Sequence, residues 1–378
     1  MHLIRNSAIG VLILFLTGFT LLLVTHEGRV AIKTGFLVAD ALTAGGRSAP
    51  PFTSEPISEE IEYPFAGGRA AGTLYRPPDT GKHGAVIMML GINANLQDEL
   101  LHRFAVLLSR QGVVVLVVNP QQLKTGRLSR EEVESLVGAF RFLQTSPHVE
   151  PNRIGFAGFC VGASLSLIAA ADPRISSDVK FVNFFGGYYS AQDLVAEMTT
   201  HQLRLGLDGS LEPWEPNADA ERWMADQLIQ TVAKADERAF LSRVARSAGA
   251  SDSERAALSI HGQVVYDVLA NRNPDRTAGY YGRLPLSVRE ALAQLSPEGQ
   301  LEWLQAKVYI MHDRQDTYVP YVESRRLWEA LALYPRKQFT EFEIFQHMYP
   351  NRAVEPGVFW NEAGKLYSHL YLLMLEMS

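Results

Sequence analysis

Short apolar runs, separated by amphipathic segments, restrict the fold of this sequence more than any other feature. Four runs rich in Val, Ile, Leu and Phe have the character of strands buried on both faces: 85–90, 113–118, 153–159 and 181–185. Segments with apolar residues at helical spacing lie between them: 97–111, 129–144 and 161–171. This alternation predicts a mostly parallel sheet that is covered by helices on both faces.

The two ends of this pattern and one interruption within it define the predicted domain. Before it, residues 59–65 and 70–75 alternate around two glycines, which predicts a hairpin. Over 190–300 the strand rhythm stops and the pattern is helical. The rhythm then resumes with two strands and a closing helix, at 306–312, 338–345 and 360–377. We therefore predict one α/β domain over 57–378, with a helical cap inserted at about 190–300.

An uncharged apolar stretch precedes the domain. Residues 7–25 carry no charge, and a helix needs ~20 apolar residues to cross a bilayer. A cleaved signal peptide is the alternative, although its apolar region is usually only ~7–15 residues long. We predict a single-pass membrane protein with a transmembrane anchor over 1–25, and a linker rich in Gly and Pro over 26–56. Arg5 and Arg29 flank the stretch and leave its orientation open.

The composition excludes several classes of protein. With 47% hydrophobic and 20% charged residues the chain can form a large core, which argues against global disorder. The formal net charge of -6 argues against a broadly nucleic-acid-binding surface. Cys160 is the only cysteine, which excludes an intrachain disulfide and a cysteine-rich zinc site. We expect no metal or cofactor, and the sequence leaves the oligomeric state open.

Cys160 stands in a motif that is typical of a catalytic nucleophile. The sequence around it, Gly158-Phe159-Cys160-Val161-Gly162, follows a predicted strand and begins a predicted helix, as a nucleophile elbow does. A sharp turn strains the central residue, and glycine is needed on both sides because neighbouring chain passes close by. The alternative is a small buried residue beside two packing glycines. The strand–turn–helix context favours the nucleophile.

An acid must follow the nucleophile in this chain order. Asp316 comes just after the predicted strand at 306–312 and shortly before Val319-Pro320, the place where we expect the acid. Asp313 is the close competitor, and an ordinary turn aspartate is the other explanation of either residue. The spacing to Val319-Pro320 favours Asp316.

The base is the third member that we expect. His347 is the first histidine after Asp316 and follows the last predicted strand. His369 also comes after Asp316, but it lies within the predicted closing helix, and His312 is a further alternative. We therefore predict His347 as the base.

Two backbone N–H groups are expected to hold an oxyanion in such a site. The first would come from Val161, directly after the nucleophile, and the second from Ile92 in the loop after the run at 85–90, with Asn93 as the next candidate. Asn93 and Tyr188 are the candidates for substrate binding. Three further aromatic residues could line the pocket under the cap, although core packing would explain each equally well: Tyr189, Trp214 and Trp223.

These motifs resemble the α/β-hydrolase superfamily over about 57–378, and within it the dienelactone hydrolase-related branch. That branch also carries G-x-C-x-G, and by the resemblance Cys160, Asp316 and His347 would be nucleophile, acid and base. The sequence departs from the branch in having Leu90-Gly91 in place of the common His-Gly, and in its cap and apolar N-terminus. The pentapeptide around Cys160 is also similar to the lipase-like box of polyhydroxyalkanoate synthases, which are acyltransferases.

The sequence thus predicts a hydrolase that cleaves an ester or thioester of a small molecule through a Cys-His-Asp triad and a covalent acyl-enzyme. The alternatives are an acyltransferase of the polyhydroxyalkanoate-synthase type and a non-catalytic, membrane-tethered scaffold on a degenerate hydrolase fold.

Overall fold

The computed structural model describes residues 23–42, 53–91, 94–206, 209–245, 249–350 and 352–378, and over 94–100 it describes the backbone alone. An eight-stranded sheet forms its centre, in the order β1-β2-β4-β3-β5-β6-β9-β10. The second strand pairs antiparallel with both of its neighbours, and all other neighbouring strands of the sheet pair in parallel. The strands are β1 (Ile57–Phe65), β2 (Gly68–Arg76), β3 (His83–Met89), β4 (Val114–Val118), β5 (Val149–Phe159), β6 (Phe181–Phe185), β9 (Lys307–Asp313) and β10 (Lys337–Phe342).

Helices cover both faces of this sheet, because its central strands are apolar on both sides. On one face lie α1 (His26–Leu42), α2 (Ala94–Arg110) and the closing helix α14 (Pro356–Met377). On the other face lie α4 (Arg130–Gln144) and α5 (Val161–Ala170). The short α3 (Gln121–Lys124) precedes α4, and α13 (Val322–Ala330) joins β9 to β10. The predicted hairpin and the predicted mostly parallel sheet are confirmed.

The predicted insertion lies between β6 and β9. It is mainly helical, with α6 (Ala191–Thr200), α7 (Ala218–Gln230), α8 (Ala235–Val244), α9 (Asp252–Ala256), α10 (Ile260–Leu269), a 3-10 turn (Pro274–Arg276), α11 (Thr277–Arg283) and α12 (Leu286–Gln294). A small antiparallel hairpin that the sequence pattern did not predict, β7 (Gln202–Leu205) with β8 (Ser210–Pro213), joins the helices. We call the whole segment between β6 and β9 the cap.

The structure places a helix in the first half of the predicted linker. Helix α1 buries Val30, Leu37 and Val38 against the rest of the domain, and the Tyr367 hydroxyl of α14 donates to the carbonyl oxygen of Ala31. This half of the linker prediction is corrected, because an apolar face that can be buried against α14 holds the segment in place.

The predicted membrane anchor lies outside the described residues except for Leu23, Val24 and Thr25. None of the helices that the structure describes has both the length and the hydropathy that a membrane crossing requires.

Candidate active site

The turn between β5 and α5 holds Cys160 in a strained backbone conformation. Its φ of 54° and ψ of -134° are rarely adopted by L-residues, and such strain persists only where the surroundings enforce it. A Cβ on Gly158 would lie 2.4 Å from the Cα of Ala163. A Cβ on Gly162 would lie 2.5 Å from the carbonyl oxygen of Met89. Both glycines are therefore needed for the close approach that bends the chain at Cys160.

The loop after β3 lies directly against this turn. A Cβ on Gly91 would be 2.7 Å from Cβ and 2.9 Å from Sγ of Cys160, and 3.0 Å from the backbone nitrogen of Val161. Only glycine fits there. Val161 begins α5, a position whose N–H has no partner within a helix, so this donor is available to an oxyanion beside Sγ. The other predicted residues of this loop, Ile92 and Asn93, lie outside the described residues.

The structure brings Asp316 and His347 together although 31 positions separate them. Asp316 Oδ2 lies 2.7 Å from His347 Nδ1, and both side chains are buried. The other carboxylate oxygen of Asp316 accepts hydrogen bonds from the backbone nitrogens of Tyr318, at 2.7 Å, and Val319, at 3.2 Å. Burial alone would raise the pKa of Asp316, but the charge and the hydrogen bond of His347, together with the nearby His312 ring, hold it far below its usual range. Asp316 is thus fixed as a carboxylate that orients the imidazole.

His347 also lies beside Cys160. Burial alone would lower the pKa of His347, but the charges of Asp316 and Cys160 and the hydrogen bonds to both raise the pKa to about 10. The imidazole therefore lies between a carboxylate and a sulfur and readily carries a proton. The three side chains that the sequence predicted as nucleophile, acid and base are neighbours, and His347 and Asp316 are joined by a hydrogen bond.

Two residues hold the imidazole from its faces, and sequence reasoning found neither. The ring of Tyr318 stacks on His347 with centroids 4.6 Å apart and planes 22° apart. Gly186, at a φ of 62°, lies beside it, and a Cβ there would be 3.5 Å from Asp316 Oδ2 and 3.8 Å from His347 Cε1. His347 itself has a φ of 58°. Gly186 follows a predicted strand, and that position was the one signal available for it.

The competing aspartate has a different task. One oxygen of Asp313 accepts from the backbone nitrogen of Gln315 and from Arg352, both at 2.8 Å. The other accepts from the backbone nitrogen of Phe345 at 2.7 Å. Asp313 therefore ties the loop that carries His347 to the end of β9, and the structure does not bring it to the imidazole.

The two alternative histidines, His312 and His369, have other hydrogen-bond partners. The Nδ1 atom of His312 lies 2.6 Å from the Ser324 hydroxyl, and its Nε2 lies 2.9 Å from the Val319 carbonyl oxygen and 3.6 Å from Asp316 Oδ2. It supports the acid from behind. His369 is buried in α14, and burial lowers its pKa to about 3.

The cap is attached to the acid loop. The indole nitrogen of Trp214 donates to the carbonyl oxygen of Asp316 at 2.9 Å, and the backbone nitrogen of Asn217 donates to Thr317 at 2.7 Å. Tyr188, at the start of the cap, is buried, and its hydroxyl donates to the carbonyl oxygen of Leu295, near the end of the cap, at 2.7 Å. The indole nitrogen of Trp223 is buried and has no hydrogen-bond partner among the described residues. Hydrogen bonds within the protein therefore hold both Trp214 and Tyr188 in place.

A strained residue at a strand-to-helix turn, on a mostly parallel sheet of this order, defines the class of the protein as an α/β-hydrolase fold. No protein-family model matches the chain. Within the part of the chain that the structure describes, no group of three or more His, Cys, Asp and Glu side chains could hold a metal ion.

Curated relatives connect the chain with particular enzymes. A thiohydrolase, apmlB, from Arthrinium phaeospermum is 30% identical over 128 residues, which cover 32% of this chain and 41% of the relative. A probable 2-oxo-3-(5-oxofuran-2-ylidene)propanoate lactonase from Bradyrhizobium sp is 33% identical over 126 residues, or 29% of this chain and 49% of the relative. The chain therefore spans less than half the length of these two relatives.

A putative carboxymethylenebutenolidase from Synechocystis sp. is 23% identical over 144 residues, or 32% of this chain and 56% of the relative. The chain is thus similar to enzymes named for hydrolysis, and the predicted resemblance to the dienelactone hydrolase-related branch is confirmed at this level. Among solved structures, an acylaminoacyl peptidase of Pyrococcus horikoshii is 13% identical with a TM-score of 0.49, over 85% of this chain and 41% of that one. The fold assignment rests on the strand order and on the strained turn at Cys160.

Proposed function

We propose that the chain hydrolyses ester or thioester bonds of a small molecule through a covalent acyl-enzyme. Cys160 would be the nucleophile, His347 the base and Asp316 the acid that orients the base. One observation carries the proposal: the 2.7 Å contact of Asp316 with His347, an imidazole whose pKa is also raised by the neighbouring Cys160. The names of the matched relatives, a thiohydrolase and a lactonase, support an acyl substrate.

The first half of the reaction forms the acyl-enzyme. His347 takes the thiol proton, and Asp316 stabilises the imidazolium that results. The thiolate attacks the carbonyl carbon, and the oxygen becomes an oxyanion. The N–H of Val161 would hold that oxyanion, together with a donor from the Ile92 loop. One such donor contributes about 3 kcal/mol in well-studied enzymes.

The first half ends when the tetrahedral intermediate collapses and His347 gives its proton to the departing alkoxide or thiolate, which leaves the Cys160 sulfur acylated and uncharged. Because the charge of Cys160 is one cause of the raised pKa of His347, acylation lowers that pKa. In the second half the neutral imidazole takes a proton from water, which attacks the acyl carbon. Collapse of this second intermediate breaks the carbon–sulfur bond, releases the acid and restores the Cys160 thiolate beside the protonated imidazole. The nucleophile therefore prepares the base for each half in turn.

Thioesters are the favoured substrates within this proposal. A thiolate attacks an ester reversibly and is itself a better leaving group than an alkoxide, so an ester intermediate tends to return to substrate. With a thioester the two leaving groups are similar, and the protonated His347 assists either one. One of the relatives is named a thiohydrolase, which also favours a thioester substrate.

The test compares the wild-type full chain with one variant at the nucleophile and one control variant. We expect thioester turnover in the wild type and its loss, by about 10³-fold or more, in Cys160→Ala. The acyl-enzyme should appear in intact-protein mass spectra of the wild type, at Cys160. Ser166→Ala is a matched control, because it removes a buried atom of α5 that has no hydrogen-bond partner among the described residues. Equal turnover in wild type and Cys160→Ala would remove the nucleophile assignment, and no turnover in any variant would leave the scaffold alternative.

Acyl transfer is the second candidate function. A polyketide transferase, claH, from Penicillium crustosum is 29% identical over 147 residues, or 36% of this chain and 47% of the relative. Transfer needs an acceptor other than water to reach the acyl-enzyme. Adding alcohols or amines to a thioester assay would distinguish the two: a transferase converts the acceptor to ester or amide at the expense of free acid. Release of free acid alone would exclude transfer to those acceptors.

The proposal also keeps the membrane anchor over 1–25, because residues 7–25 carry no charge. Alkaline extraction of membranes from cells that express the full chain tests it. An anchored chain stays in the membrane pellet, whereas release into the supernatant would contradict the anchor.

A further inference from the structure

An apolar cavity lies between the sheet and the helices α1, α2 and α14. Its volume is about 140 Å³, and nearly all the side chains that face it are hydrophobic. Side chains from one face of the sheet form its floor. They are Val86 and Met88 on β3, Leu90 just after β3, and Phe181 and Phe185 on β6. Phe181 and Phe185 are four residues apart, so the floor extends about 13 Å along the strands.

One end of this cavity lies next to the segments that carry Cys160 and His347. Leu90 lines it and directly precedes Gly91, which lies against Sγ of Cys160. Phe159 lines it and directly precedes Cys160, and Met348 lines it and directly follows His347. Three segments of the candidate active site therefore contribute to this end of the cavity.

At its opposite end the cavity lies where α14 meets the sheet. A Cβ on Gly84 at the start of β3 would lie 2.1 Å from the carbonyl oxygen of Met377, so the end of α14 is packed tightly against the sheet there. Phe181 and Met377 line the cavity at this level. The cavity thus extends from the edge of the sheet with Cys160 toward the end of α14.

Polar groups offer little to water in this space. Asn183 lines it, but its side-chain oxygen is within 3.0 Å of His369 Nε2. Asp40 and Arg103 line it and pair with each other at 3.0 Å. Protein interiors are close-packed, with few voids larger than a water molecule, and an apolar cavity of about 150 Å³ stays dry and binds benzene. A space of this size and polarity suits a hydrocarbon of about six carbons.

We propose that this cavity binds the aliphatic acyl chain of the substrate, which makes the substrate a medium-chain acyl thioester or ester. The inference rests on the proposed function, since that function places the scissile carbonyl at Cys160. The carbonyl stays beside Sγ while the chain extends past Leu90 and Phe159 toward Phe181. The packing of α14 on the sheet beyond Phe181 limits the preferred chain length.

The test uses acyl thioesters of one thiol, from acetyl to dodecanoyl, with the full-length chain. We expect kcat/KM to rise to hexanoyl or octanoyl and then to fall. Ala157 lines the cavity from β5, so Ala157→Leu should fill its middle. Relative to wild type, this variant should lose about tenfold or more in the ratio of kcat/KM on octanoyl thioester to kcat/KM on acetyl thioester. Ala41→Leu fills the cavity from α1 and replaces Ala157→Leu if that variant does not fold.

Binding to the inactive Cys160→Ala variant separates this inference from the proposed function. Calorimetric titration with the same thioesters should show affinity rising with chain length, and the rise should vanish when Ala157→Leu is added. Turnover with a chain-length profile that is flat and unchanged by Ala157→Leu would overturn the cavity assignment and leave the hydrolase standing. Chain-length-dependent binding without turnover would support the cavity and overturn the hydrolase. Neither turnover nor binding would overturn both.

Discussion

Two regions of the molecule bury an imidazole and shift its pKa in opposite directions. In the loop after β10, His347 lies against Asp316 and Cys160, and its pKa rises to about 10. In α14, His369 lies between the side-chain oxygen of Asn183, at 3.0 Å, and the hydroxyl of Thr340, at 2.9 Å, and burial lowers its pKa to about 3. Both rings are almost inaccessible to solvent. Charged neighbours, and not burial, therefore raise the pKa of His347 above that of His369.

The largest effect that we expect separates these two histidines directly. His347→Asn should lower kcat/KM for a thioester by about 10⁴-fold, because it removes the group that moves the thiol proton. His369→Asn should leave kcat/KM within about threefold and lower the free energy of unfolding by about 1–3 kcal/mol, because it disturbs buried hydrogen bonds. Steady-state kinetics and thermal unfolding of both variants measure this. A similar loss of activity in the two variants would end the distinction.

The two aspartates of the acid loop sharpen the comparison with a smaller effect. Asp316→Asn should lower kcat/KM by about 10³-fold, because an amide cannot hold the tautomer and the imidazolium that the carboxylate stabilises. Asp313→Asn weakens the contacts with Arg352 and Phe345. It should affect melting temperature more than kcat/KM, which should fall less than tenfold. Should Asp313→Asn prove the more damaging to kcat/KM, the roles would have to be exchanged.

The charge of the nucleophile should be visible in the titration of His347. Proton NMR of the wild type should show a pKa well above 6.5 for His347, and in Cys160→Ser the pKa should fall because the hydroxyl stays uncharged. His369 should not titrate above pH 4. Since the folded pKa of His347 is raised, its stabilising contribution is full below about pH 6.5 and is lost as the pH rises toward 10. An unchanged pKa in Cys160→Ser would mean that the sulfur does not act on the imidazole.

The smallest effect concerns the cap. Trp214→Phe removes the hydrogen bond to the carbonyl oxygen of Asp316 and keeps most of the ring. We expect kcat to fall by about two- to fivefold, because the acid loop is less firmly placed. Trp303→Phe is the matched control, since Trp303 is exposed. If both variants have wild-type kcat, the bond from the cap does not position Asp316.

Much of this arrangement was predictable because its signals are local. Strands buried on both faces have continuous apolar runs, and the elbow needs glycine on both sides of Cys160, so both appear directly in the sequence. The chain order of nucleophile, acid and base then narrowed the choice to a few residues. The structure placed Asp316 and His347 together, as that order suggested.

Other features depend on contacts between distant segments and leave no comparable signal. Tyr318 stacks on His347 only because the loops after β9 and β10 meet, and nothing in its own neighbourhood indicates a partner. The segment of helix α1 was predicted as part of a linker because of the glycines and prolines that follow it, Gly45, Gly46, Pro50, Pro51 and Pro56. Its burial against α14 depends on a distant segment and could not be read from this composition. The hairpin of β7 and β8 is too short for a pattern to indicate.

The single thiol has a practical consequence for anyone who handles this protein. Cys160 is 3% exposed, and no other cysteine exists in the chain to compete for a thiol-directed dye. A maleimide fluorophore must wait until the surrounding segments part before it can react. The rate of maleimide labelling in the native state therefore reports how often the segments around the sulfur open, and no label site has to be engineered.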